Sequence, residues 1–163
     1  VDSVLDLGCG SGRYAIAFAR NGKEVTGVDF SEKMLELSRE YSETSGTSEK
    51  TDFHQADINV WMGDTEKRFD LSIGMGLFDY LTSPAGTLRK MLKVSTVAIV
   101  SFPAPTFPRS QIRSWRYRAQ NCPIFFFTEK DIQNLANEAG AEVTEIRSLN
   151  GAGYWVKFSA KSS

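Results

Sequence analysis

Gly8, Gly10 and Gly12 fall within five positions, and an acid, Asp6, stands two residues ahead of them. Fixing glycine costs backbone entropy, so a loop this rich in it needs conformations or close approaches that side chains would obstruct. One use is to seat a phosphate at a helix N-terminus. The dinucleotide spacing for that is G-x-G-x-x-G, and here the last glycine comes one residue early. No Gly-Lys-Ser/Thr follows, so the chain has no Walker loop. Asp6 opposes an anion and favours an ammonium. The loop therefore reads as the seat of a positively charged group rather than of a diphosphate.

These residues need a frame. Residues 1–8 read as a strand, and Ala15, Ile16, Phe18 and Ala19 recur at helical spacing over 11–21 until Asn21-Gly22 stops them. Further strands are expected at 23–30, 51–58, 69–76 and 94–103, the last apolar enough to be central. Ser31 is placed to cap a helix over 32–41, Pro84 to start one reaching Lys93, and Thr128 to cap one ending at Gly140. Strands at 141–149 and 153–160 flank the turn residues Asn150 to Gly153. Alternation of this kind predicts an α/β three-layer sandwich, its sheet mostly parallel with an antiparallel last strand.

With 163 residues, the chain suits one domain, 1–163. A net charge of -1 argues against broad binding of a nucleic-acid backbone. Cys9 and Cys122 are too few for a disulfide framework and lack metal-ligand spacing, which fits a reducing cytoplasm and no metal. No run reaches the roughly 20 apolar residues of a membrane-spanning helix. Val1 falls beside a strand, so the natural chain is expected to continue upstream with N-terminal helices. Residues 103–127 break the rhythm with four prolines and four arginines, as an insert covering a site would.

In chain order, VLDLGCGSG, VTGVDFSEKML, FHQADI and FDLSIGMGLFDYL resemble the motifs of class I S-adenosylmethionine-dependent methyltransferases. These pieces fill the first half of the chain. The tail is loosely similar to small-molecule O-methyltransferases of the quinone and porphyrin-ester kind. The resemblance implies sheet order 3-2-1-4-5-7-6, S-adenosyl-L-methionine as cofactor, and in-line methyl transfer to a small molecule.

It also implies roles for particular residues. Gly8, Gly10 and Gly12 would admit the methionine part of the cofactor, with Asp6 near its ammonium and Cys9 a small packed residue of the same loop. Asp29 would accept from both ribose hydroxyls, and Asp57 from the adenine amine. The Ile58 backbone would face the ring edge, and Phe30 or Met34 would cover a ring face. Gly74 and Met75 would present backbone groups to the methionine end.

No obvious base accompanies these residues, and an aligned thiol, amine or ionised oxygen needs none. Asp79 and Tyr80 are the catalytic candidates, one as base or orienter and the other as wall or donor; helix capping and core packing account for them equally well. The sole histidine, His54, reads as structural, as does Asp70. In the insert, Arg113, Trp115 and Tyr117 offer charge and stacking to a planar or anionic substrate. The same stretch could pack against the sheet or contact RNA. Other readings are a catalytically silent module acting through a protein partner, an RNA methyltransferase, and a dehydrogenase, which loop spacing and Asp6 disfavour.

Overall fold

The computed structural model describes residues 1–105 and 124–161. Its order is β1 (Ser3–Leu7), α1 (Arg13–Arg20), β2 (Glu24–Asp29), α2 (Glu32–Thr44), β3 (Thr51–Gln55), α3 (Ile58–Asp64) and β4 (Phe69–Gly74). There follow α4 (Pro84–Val94), β5 (Ser95–Pro103), α5 (Glu129–Ala139), β6 (Ala141–Ser148) and β7 (Gly153–Ala160). Short 3-10 turns lie at Ser48–Lys50 and Phe78–Tyr80.

The seven strands form one sheet in the order β3-β2-β1-β4-β5-β7-β6. Pairings from β3 across to β5 are parallel, whereas β7 runs antiparallel to β5 and to β6. Sandwich, order and antiparallel last strand all agree with the sequence. Two details do not. The strand expected over 51–58 stops at Gln55, and a helix that the sequence reading lacked, α3, begins at Ile58. Parallel β3 and β4 need a crossover, and α3 supplies it although Ile58, Val60 and Gly63 are poor helix formers. Asp57 compensates as N-cap, its side chain accepting from the Asn59 and Val60 amides.

Ser31 stands at the N-cap of α2 without a capping bond from its side chain; its own amide instead donates to Asp29 Oδ1 at 2.9 Å. Thr128 does cap α5, in a reciprocal capping box with Asp131.

Alternation along β1 sends Leu5 and Leu7 into the larger core, with Leu88, Met91 and Ile132, and Val4 into a smaller one with Ala15 and Ala19 of α1. Asp6, between the two leucines, faces the same way as Val4. Phe102, near the end of β5, meets Phe78, Phe127 and Phe158 edge-on at centroid separations of 5.3, 5.0 and 6.1 Å. This cluster anchors the Phe78–Tyr80 turn to the sheet at its carboxyl edge.

A candidate cofactor cleft at the carboxyl edge of the sheet

After β1 the chain turns through Gly8 and Gly12 at φ of +64° and +76°, a region that residues bearing a Cβ rarely adopt. A Cβ on Gly8 would come within 3.1 Å of Leu77 Cδ1 and fill the space between them. At Gly12 it would lie 3.2 Å from Ser38 Cβ of α2, so this glycine serves helix packing as well as the turn.

Four amides of this loop are already engaged. Gly8 and Cys9 both donate to the Val28 carbonyl, at 2.8 and 3.2 Å, and Gly12 donates to Cys9 O at 3.0 Å. The Gly10 amide donates to Asp29 Oδ2 at 2.9 Å. A diphosphate would therefore find four amides taken and carboxylates nearby. Asp29, buried at the end of β2, bridges the glycine loop and the start of α2 through its two oxygens.

Beneath the loop, Asp6 is 1% exposed, and its Oδ2 has no hydrogen-bond partner among the described residues. Burial raises its pKa to about 7, the nearby Asp29 charge adding to the effect and a backbone bond at Ala15 opposing it. Cys9 is also buried, its thiol pKa pushed up by burial and then by the charges of Asp6 and Asp29, which makes it a packing residue rather than a nucleophile.

Next to the loop a cleft of about 410 Å³ opens, within the range of small-molecule sites. Gly8, Asp29, Phe30, Asp57, Ile58 and Tyr80 are among the residues that line it. Phe30 is 81% exposed, an apolar ring standing at the rim. Among the described lining residues there are two carboxylates and no cation. Asp57 uses Oδ1 on the Asn59 and Val60 amides, at 2.8 and 3.1 Å, which leaves its second oxygen for a ligand.

Asp6, Cys9, Gly10 and Gly12 stand behind the cleft and do not line it, and other expected residues are placed elsewhere. Gly74 is buried against Phe78, and Met75 packs on the smaller core, so the cleft is lined after β4 by Gly76 and Leu77 instead. Ala56, Asn59 and Leu81 complete the wall, and none of the five was singled out from sequence. Met34 of α2 faces Gly10, with its Cε 3.5 Å from where a Cβ would stand, outside the cleft wall. Asp79 is buried at 2% exposure and does not line the cleft, although its carbonyl accepts from the Phe125 amide at 2.8 Å. His54 pairs with Asp52 at 2.9 Å and lies against Trp61. Asp70 accepts from the amides of Asp2 and Ser3. Arg113, Trp115 and Tyr117 lie outside the described residues, as does Cys122. Among the described residues no group of acids, histidines and cysteines could hold a metal, and no helix is long and apolar enough to cross a membrane.

A family model described as a methyltransferase domain matches residues 4–96. Over 85 residues the chain is 35% identical to a ubiquinone biosynthesis O-methyltransferase of Aromatoleum aromaticum, covering 52% of this chain and 36% of that protein. The same enzyme of Bordetella pertussis is 30% identical over 86 residues, 53% of this chain and 35% of the relative. The match thus spans about a third of the length of these curated relatives. Among solved structures, magnesium protoporphyrin IX methyltransferase from Synechocystis PCC 6803 with bound SAH superposes with a TM-score of 0.75 at 18% identity, over 97% of this chain and 74% of that one. A SAM-dependent methyltransferase from Methanosarcina mazei gives 0.77 at 16% identity, over 98% and 92%. At these identities the superpositions show the fold.

Proposed function

The chain belongs to the methyltransferase-domain family, of the class I S-adenosylmethionine-dependent kind, and from that premise we propose that it methylates a small molecule. One observation carries the reading. Four amides of the glycine loop are engaged while Asp29 and Asp57 line the cleft, so the site offers acceptors to a ligand rich in hydroxyl, amine and ammonium donors.

Asp29 holds the ribose hydroxyls, and the remaining oxygen of Asp57 takes the adenine amine. Phe30 covers the base, and Ile58 gives it an apolar edge. The unmatched oxygen of Asp6 meets the ammonium, directly or through a water. When bound, S-adenosylmethionine supplies a methyl group already activated on a sulfonium sulphur. What the protein adds is alignment and exclusion of water, worth several kcal/mol without any base. Tyr80, held over the cleft by the Phe78 anchor, orients the acceptor; Asp79 behind it supports that turn. An oxygen acceptor is favoured, as in the ubiquinone-pathway relatives, and it reacts as the ionised oxygen after giving its proton to solvent water.

Incubation with methyl-labelled S-adenosylmethionine, small phenols and catechols, and an RNA pool tests this. Label on a small hydroxylated aromatic and none on RNA is expected. Transfer to RNA alone, or to no acceptor by protein that binds S-adenosylhomocysteine (SAH), contradicts it.

A further inference from the structure

We infer that Ser38, on α2 behind the glycine loop, is a positioning residue for the methionine end of the cofactor; this rests on the function proposed above. Ser38 is fully buried. A serine in mid-helix ordinarily bonds back to the carbonyl four residues earlier. Here Met34 O is 3.0 Å from Ser38 Oγ, but Gly10 O is closer, at 2.7 Å. The hydroxyl thus donates out of its helix and into the loop.

On the other side of Gly10, the amide is held by Asp29 Oδ2 at 2.9 Å. The peptide planes before and after Gly10 are both fixed, one by a carboxylate from β2 and one by a hydroxyl from α2. Ser38 Cβ also stands 3.2 Å from where Gly12 would carry a side chain. Alanine would satisfy both the packing and the helix, and more favourably. The loop contact is what calls for serine at this position.

Calorimetric titration of Ser38→Ala with SAH and, separately, with adenosine tests the assignment. SAH carries the amino-acid moiety that faces the loop, and adenosine does not. Loss of the bond should weaken SAH by about tenfold while adenosine changes less than about twofold. Thr44→Ala, whose hydroxyl bonds only to Glu40 and Tyr41 carbonyls within α2, should leave both unchanged. Unaltered SAH affinity in Ser38→Ala overturns the inference, and so does equal weakening of both ligands, which would mark a merely structural residue. Should Ser38→Ala fail to fold, Ser38→Cys keeps the volume with a weaker donor, and the same contrast applies to it. If folded wild-type protein binds adenosine and not SAH, the proposed function itself fails, a result distinct from any behaviour of the variant.

Discussion

Two hollows of nearly equal volume open at opposite edges of the sheet, about 410 Å³ at the carboxyl edge and about 420 Å³ at the amino edge. Their polar groups differ in what they lack. At the amino edge charges answer one another: Lys50 pairs with Glu24 at 2.5 Å and Lys67 with Asp52 at 3.1 Å, all well exposed. Exposed pairs of this kind contribute little. At the carboxyl edge the amides of Gly8, Cys9, Gly10 and Gly12 are engaged while carboxylate oxygens remain, and beneath the glycine loop one buried carboxylate oxygen is unmatched. Volume alone does not mark a site; unmet hydrogen-bonding demand beside a preformed space does.

The contrast can be broken in several places. The largest effect is expected from Phe102→Ala, which removes the ring joining the Phe78–Tyr80 turn to β5 and β7. Denaturant titration should show a loss of about 3–5 kcal/mol. Asp29→Ala comes next, since it removes the bridge between loop and α2 as well as the proposed ribose acceptor. SAH affinity should fall by about 2–3 kcal/mol in calorimetry, and unchanged affinity would refute the assignment.

Asp6 gives a pH signature. Its folded pKa of about 7 lies above the ordinary 3.8, so its protonation stabilises the fold fully below about pH 4. That contribution is withdrawn as pH rises toward 7 and the buried carboxyl ionises. In the ligand-free protein, Asp6→Asn should accordingly raise the melting temperature more at pH 8 than at pH 5. An ammonium placed beside Asp6 reverses the sense: SAH, which carries one, should bind more tightly at pH 8 than at pH 6, and Asp6→Asn should flatten that dependence. The smallest effect belongs to the amino edge, where Lys50→Ala should cost under about 1 kcal/mol of stability and leave SAH binding untouched.

Most of the frame was legible in sequence because local signals agreed with the fold: turn residues after α1, α2 and α5, apolar runs for strands, and motifs in chain order. α3 was not, since its propensities are poor and its start depends on Asp57, a residue whose motif position drew attention to ligand binding. The structure gives Asp57 a capping role that leaves one oxygen over. After β4, Gly74 and Met75 were expected at the site and Gly76 and Leu77 line it. The Gly76 amide is held by Ser101 Oγ at 2.7 Å. That contact spans 25 residues, beyond what local pattern can encode. Ser38 was likewise invisible, one polar residue among many on α2 until the loop folds against it.

The central claim is that the glycine loop and its carboxylates seat a donor-rich ligand bearing an ammonium and not a diphosphate. Titrating the same protein with SAH and with NAD at pH 7.5 tests it most directly. The account predicts heat and a saturable isotherm with SAH and none with NAD. Saturable binding of NAD with no response to SAH would contradict it.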